Sequence, residues 1–209
     1  MLHRKIELLC ITCPRTDISY DEQVKLACEG GADMIQFRDK VMCDKELFET
    51  AEKLSEICKK YNVYFTVNNR IDVADLSEAD GVHLGQNDLP VWYAREILGQ
   101  NKIVGISASG VEKVLSAEKL PVDYIGCGAI FPTETKTDVT VRGLEVLKEI
   151  KKRNICKPII AIGGINKYNI ADVIKAGADG VAVVSAVCGA KDIKKEAQTI
   201  KEIIKNIKG

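Results

Sequence analysis

Eight times along 209 residues, a short apolar run gives way to a longer segment of helical period. The runs are Ile6–Thr12, Met34–Arg38, Tyr64–Asn68, Gly81–Gly85, Ile103–Ser107, Tyr124–Ile130, Pro158–Ile165 and Gly180–Val187. Between them, Asp44–Tyr61 places Leu47, Ala51, Leu54 and Cys58 on one face, and Leu144–Lys152 does the same with Leu144, Leu147 and Ile150. Strands that alternate with helices build a mainly parallel sheet. Eight such units fit a closed (β/α)8 TIM barrel better than an open doubly wound sheet, although the chain is short for that fold. No linker, low-complexity tract or shift in composition divides the chain, so residues 1–209 read as one domain.

A weak internal repeat supports the count. Asp33, Asp80, Asp123 and Asp179 each follow a small residue, a glycine or a valine and precede an even-numbered run, where a helix should end and feed the next strand. A βαβα repeat explains that spacing, so these aspartates are expected to be structural.

Thirty basic residues balance thirty acidic ones, which leaves no global field for nucleic acid or an anionic membrane. No apolar run is long enough to cross a bilayer. The first apolar stretch lacks a small-residue cleavage site and reads as a strand, not a signal peptide. The eight cysteines sit mostly in apolar segments of a chain too long for a disulfide scaffold. Reduced thiols and a cytoplasmic protein are the expectation. Cys10 and Cys13 form a Cys-x-x-Cys pair, but no second pair at metal-ligand spacing follows. Trp92 and Tyr93, beside Pro90, read as packing at a helix start. Any of several outer helices could form an interface, so oligomeric state is left open.

In such a barrel, functional residues belong at the C-terminal ends of the strands. Those ends carry Gln36-Phe37-Arg38-Asp39-Lys40, Asn68-Asn69-Arg70, Gly85-Gln86-Asn87-Asp88, Ser107, Phe131-Pro132-Thr133-Glu134-Thr135-Lys136, Gly163-Gly164 and Ser185. Cations, hydroxyls and glycines with exposed N–H groups form an anion-binding set. The last two strands, with Gly164 and Ser185, match the commonest phosphate site of the fold. Gln36, Arg38 and Lys40 alternate, as side chains on one strand face would. Asp88 is suited to holding Mg²⁺ against phosphate oxygens, the competing reading being a plain ion pair with Arg38. Two phosphate sites on one rim suggest a transferase. The segment Thr133–Arg142 reads as a lid, with a solvated loop as the alternative. The chain has two histidines, and His83 reads as a hydrogen-bonded interior residue rather than a catalyst.

Five blocks resemble the thiamine phosphate synthase family, in family order. They are Gln36-Phe37-Arg38-Asp39-Lys40, Gly81-Val82-His83-Leu84-Gly85-Gln86-x-Asp88, Phe131-Pro132-Thr133-x-Thr135-Lys136, Ala161-Ile162-Gly163-Gly164-Ile165 and Gly180 through Ala186. The resemblance implies that Gln36, Arg38, Lys40, Asn68, Ser107 and Lys136 hold a pyrimidine diphosphate. It implies Mg²⁺ at Asp88, and a thiazole phosphate at Thr133, Thr135, Gly164, Val184 and Ser185. Arg38, Lys40, Ser107 and Lys136 would serve the chemistry, in which pyrophosphate leaves the pyrimidine's methylene carbon and the thiazole nitrogen captures the cation. A ring-nitrogen lone pair needs no general base.

The chain departs from the family in two places. Asn69 stands where an aspartate usually helps bind Mg²⁺, so weaker metal binding is expected, with Asn69 still offering an amide oxygen. Ala129 replaces a more usual proline. Three rivals remain: a thiazole tautomerase, which would need an acid/base residue and no diphosphate clamp; a non-catalytic regulator that retains thiazole phosphate; and another phosphosugar barrel enzyme.

Overall fold

The computed structural model describes residues 2–135 and 140–209. Its strands are β1 (Leu8–Ile11), β2 (Met34–Phe37), β3 (Tyr64–Asn68), β4 (Gly81–Leu84), β5 (Ile103–Ala108), β6 (Tyr124–Gly128), β7 (Ile159–Ile162) and β8 (Gly180–Val183). Each is followed by a helix: α1 (Tyr20–Glu29), α2 (Asp44–Tyr61), α3 (Ile71–Leu76), α4 (Val91–Leu98), α5 (Val111–Glu118), α6 (Glu145–Lys152), α7 (Ile170–Ala176) and α8 (Ile193–Lys208). Neighbouring strands pair in parallel, and β1 pairs with both β2 and β8, closing the expected (β/α)8 barrel.

Local chemistry sets the element ends. α2 opens with Asp44 and Glu46 at its positive end, closes with Lys59 and Lys60 at its negative end, and stops at Asn62 in the left-handed region. β7 and β8 are shorter than their apolar runs because Gly163 and Gly164 take positive φ and residues 184–189 curl into a turn. On α4 the buried residues are Val91, Ala94 and Leu98. Trp92 and Tyr93 fall off that face and are more than half exposed, contrary to the expected packing.

Side chains outside the strands meet the helices in one large core, while a second cluster fills the barrel with Leu9, Ile11, Met34, Ile103, Tyr124, Ile160 and Ala182. The filling turns polar toward the C-terminal end. Register aligns Ile11, Gln36 and Thr66 across β1 to β3, and His83, Gly105 and Tyr124 across β4 to β6. Gly105 is needed there, since a Cβ would collide with the Tyr124 ring.

The four repeat aspartates are structural, as expected. Asp33 Oδ2 accepts from the N–H groups of Glu7 and Leu8, both at 2.9 Å. Asp80 takes Phe65 N–H, Asp123 takes Val104 N–H and Asp179 takes Ile159 N–H, each at 2.8 Å. Every carboxylate that precedes an even strand therefore satisfies opening donors of the odd strand before it, donors that the ladder leaves unpaired.

Candidate active site

The rim at the C-terminal ends gathers most of the residues singled out from sequence. Gln36 points into the barrel and is buried. Arg38 lies just past β2, and its N–H donates to Thr12 Oγ1 at 3.0 Å. The strand stops at Phe37, so the alternation reaches Arg38 but not Lys40, which sits exposed in the following loop. Asp39 shapes that loop by accepting from the Tyr20 hydroxyl at 2.6 Å and from the N–H groups of Val41 and Met42 at 2.7 and 2.8 Å. Burial would raise the Asp39 carboxyl, but these donors and Arg38 outweigh it and hold it below the usual range. Among the described residues, no hydrogen bond or ion pair engages the Arg38 guanidinium or the Lys40 ammonium.

Asn68 ends β3, and Asn69 follows at φ 67, its N–H donating to the His83 carbonyl at 2.9 Å. Asp88 folds back so that its carboxylate accepts from Gly85 N–H. Arg38 and Asp88 form no ion pair with each other, which removes the plain-pair reading. The neighbouring Arg70 is neutralised by Asp44 and Asp72, both at 2.6 Å. A carboxylate and an amide oxygen on adjacent strand ends suit a hard cation that keeps most of its ligands from phosphates and water. Among the described residues, no group of three or more His, Cys, Asp and Glu forms a self-sufficient metal cage.

Ser107 is half-buried near the end of β5. Its Oγ lies 2.9 Å from His83 Nε2, and its carbonyl accepts from Gln86 Nε2 at 2.6 Å. His83 is an interior residue, as expected: Nδ1 meets the Tyr124 hydroxyl at 2.9 Å, and burial lowers its pKa to about 4. His3 lies away from the rim; its N–H donates to the hydroxyl of Tyr64, the first residue of β3.

A cleft of about 730 Å³ opens between the loop after β6 and the ends of β7 and β8. Thr133, Thr135, Gly164, Ser185 and Ala186 line it. Gly164 holds φ 63 and packs so tightly on Phe131 and the Pro132 carbonyl that no side chain fits. The N–H groups of Ser185 and Ala186, at the start of the turn after β8, make no backbone hydrogen bond among the described residues. Val184 does not line the cleft; it packs toward the barrel interior. The loop is pinned at its base by Arg142 N–H to the Ala129 carbonyl at 2.8 Å and Gly143 N–H to the Ile130 carbonyl at 3.0 Å. Lys136 and residues 137–139 lie outside the described residues.

A family model described as thiamine monophosphate synthase matches residues 8–187. The chain belongs to the thiamine monophosphate synthase family. A thiamine-phosphate synthase of Persephonella marina is 48% identical over 183 residues, 88% of this chain and 87% of that one. One of Pyrococcus furiosus is 42% identical over 208 residues, 100% of this chain and 99% of that protein. A solved thiamine phosphate pyrophosphorylase from Pyrococcus furiosus superimposes with a TM-score of 0.90 at 41% identity, covering 98% of each chain. More distant barrels, such as a Thermoplasma volcanium protein at 16% identity and TM-score 0.69, share the fold alone.

Against this family, sequence reading missed two rim arginines. Arg15 donates to the Cys188 and Ala190 carbonyls at 3.1 and 2.6 Å while forking onto Asp17, so the loop after β1 grips the far end of the turn that starts at Ser185. Arg142 Nε donates to Ser109 Oγ at 3.1 Å. Arg142 is singled out only as the end of the Thr133–Arg142 segment, Arg15 sits in no periodic pattern or quoted block, and only the closed barrel brings Arg15 beside residues more than 170 positions away.

Proposed function

We propose that this chain is a thiamine phosphate synthase, condensing hydroxymethylpyrimidine diphosphate with thiazole phosphate to thiamine phosphate and pyrophosphate. The observation that carries the reading is the pairing of two unlike anion sites on one rim. One is the cleft at Thr133, Thr135, Gly164 and Ser185, suited to a phosphate ester by its hydroxyls and by the Ser185 and Ala186 N–H groups, which make no backbone hydrogen bond among the described residues. The other is the pair of cations at Arg38 and Lys40, whose guanidinium and ammonium make no hydrogen bond or ion pair among the described residues.

In this reading Gln36, Arg38, Lys40, Asn68, Ser107 and Lys136 hold the pyrimidine diphosphate, and Thr133, Thr135, Gly164, Val184 and Ser185 hold the thiazole phosphate. Val184 contributes through its backbone, since its side chain packs inward. Pyrophosphate departs from the methylene carbon, and the cations stabilise the negative charge that grows on it. The thiazole nitrogen then bonds the pyrimidinylmethyl carbon. Asp88 and Asn69 would hold Mg²⁺, which, when bound, supplies further charge neutralisation at the leaving group. Lys136, which lies outside the described residues, adds a further cation in this reading. The whole chain acts as one domain in solution.

A thiazole tautomerase would need an acid/base group at the rim. Both nitrogens of His83 are engaged inside the barrel, which disfavours that chemistry. The test is to mix purified protein with both phosphorylated halves and Mg²⁺ and follow both products. Equimolar pyrophosphate and thiamine phosphate support the reading. Tight thiazole phosphate binding without turnover, or isomerisation of the thiazole alone, sinks it.

A further inference from the structure

The turn after β8 has two unlike ends. At its start, the N–H groups of Ser185 and Ala186 make no backbone hydrogen bond among the described residues, and both residues line the cleft. Past them the backbone coils on itself. Val187 and Gly189 N–H donate to the Val184 carbonyl at 3.2 and 3.3 Å, and Ala190 N–H donates to the Val187 carbonyl at 3.0 Å. A helical turn of this kind leaves donors open at its entrance and carbonyls open at its exit. Here the exit carbonyls of Cys188 and Ala190 accept from Arg15 Nη1 at 3.1 and 2.6 Å. They flank Gly189, which packs on Ser185 so closely that a Cβ would lie 2.8 Å from Ser185 Cα and 2.9 Å from its carbonyl oxygen. The exit therefore cannot shift without moving the residue that opens the entrance.

Arg15 is itself held. Its Nε and Nη2 fork onto Asp17 at 2.9 and 2.5 Å. Two residues earlier, Cys13 N–H donates to Gln23 Oε1 at 3.3 Å, and the Cys13 carbonyl accepts from Gln23 Nε2 at 3.0 Å. Gln23 is a fully buried residue of α1, so the loop that carries Arg15 is anchored to the packed part of the fold. An anion held by backbone N–H groups needs them aimed at one point, and binding weakens steeply as the angles drift. We propose that Arg15 is a positioning residue for the phosphate of the thiazole substrate. It fixes the aim of the Ser185 and Ala186 N–H groups by holding the carbonyls at the other end of their turn. Resting on the function proposed above, the inference adds an arginine that acts through the turn, since all three of its guanidinium nitrogens are spent on protein acceptors.

The test separates aim from stability. Thiazole phosphate is titrated into ¹⁵N-labelled protein while the Ser185 and Ala186 amide resonances are followed, and KM is measured for both substrates. Arg15→Ala should raise the Kd and KM for thiazole phosphate roughly tenfold, the size of one weakened charge-assisted hydrogen bond, with KM for the pyrimidine diphosphate within about twofold. Arg15→Lys keeps a donor for the two carbonyls and should recover most of that loss. If Arg15→Ala melts earlier yet binds thiazole phosphate as the unsubstituted protein does, the arginine is only a brace and the proposal is overturned. Equal weakening of both substrates overturns it too. Should Arg15→Ala fail to fold, Asp17→Asn decides. The Asp17 side chain is 66% exposed, so losing its charge loosens the fork without disturbing the core. KM for thiazole phosphate should then rise about threefold, and an unchanged value overturns the proposal. Turnover by the unsubstituted protein is followed alongside. Its absence sinks the functional reading while the amide titration still decides the role of Arg15, whereas turnover with unimpaired binding in Arg15→Ala sinks this inference alone.

Discussion

At the N-terminal end of the barrel, polar groups are consumed by the fold. Asp33, Asp80, Asp123 and Asp179 each hold strand N–H groups, and the Lys201 ammonium reaches both Asp33 and Glu7 at 2.9 and 3.1 Å. At the C-terminal end, no hydrogen bond or ion pair engages the Arg38 guanidinium or the Lys40 ammonium among the described residues, and Ser185 and Ala186, whose N–H groups make no backbone hydrogen bond among them, line a cleft. The same residue chemistry appears at both ends, but among the described residues the C-terminal end leaves some of it, at Arg38 and Lys40, without a hydrogen bond or ion pair. Interactions completed inside the chain stabilise it, while those left open are available to a ligand. Substitutions at the two ends should therefore separate stability from activity.

The largest effect belongs to the open end. Arg38→Ala should lower kcat/KM by about 10²–10³-fold, a loss of roughly 3–4 kcal/mol of transition-state stabilisation, because its charge faces a leaving diphosphate. The melting temperature should stay within about 2 °C, as expected for a rim side chain whose guanidinium makes no hydrogen bond or ion pair among the described residues. A large drop in thermal stability would show that Arg38 belongs to the fold, and the contrast between the ends would break.

Arg95 is the mirror case. It pairs with Asp123 at 2.6 Å, with side chains only 9% and 13% exposed, and also donates to the Pro121 and Lys102 carbonyls. Arg95→Ala leaves the largely covered Asp123 carboxylate without its counter-ion, and stability should fall by about 3 kcal/mol, or roughly 10 °C, with kcat unchanged. Denaturant melts and steady-state kinetics on one preparation check both halves. A fall in kcat at temperatures where the variant stays folded would mean the closed end reaches the chemistry.

The closed end was the more legible of the two. Asp33, Asp80, Asp123 and Asp179 recur at fixed places in a repeat, and periodicity alone predicts their position and structural role. All eight strands and the bounds of α2 follow from the same signal. The open end was legible through motif blocks, which single out Arg38, Asp88, Thr133 and Gly164. What those blocks lack is the third dimension. Nothing in the local sequence around Arg15 signals the Cys188 and Ala190 carbonyls, and nothing around Gly105 says that its missing side chain makes room for Tyr124. Trp92 and Tyr93 mislead for the same reason, since large apolar residues suggest burial but the helix phase turns them outward. Lys136 is prominent in sequence and falls outside the described residues.

Between the two ends lies His83, whose pKa burial lowers from 6.5 to about 4. A folded-state value below the unfolded one means that, between those limits, the unfolded chain binds the proton that the native ring refuses. Stability is then full above about pH 6.5 and falls as the pH drops toward 4, by about 2 kcal/mol at pH 5. His83→Gln removes that slope. Comparing the two proteins at pH 5 and pH 7.5 isolates the histidine from acid-sensitive carboxylates that both share. If the two lose stability in parallel on acidification, the ring titrates normally and the interior is wetter than its packing indicates.

The smallest effect sharpens the comparison most finely, because it adds charge to the open end without touching the fold. Asn69 is exposed at φ 67, a conformation that asparagine and aspartate both tolerate, so Asn69→Asp changes charge and leaves the backbone as it is. A second carboxylate beside Asp88 should lower the Mg²⁺ concentration for half-maximal rate about three- to fivefold, near 1 kcal/mol, at moderate ionic strength. The melting temperature without Mg²⁺ should be unchanged or slightly lower, since like charges then sit closer together. A Mg²⁺ titration that superimposes on that of the unsubstituted chain would mean residue 69 is not a ligand, leaving Asp88 and the diphosphate as the anionic ligands of the ion.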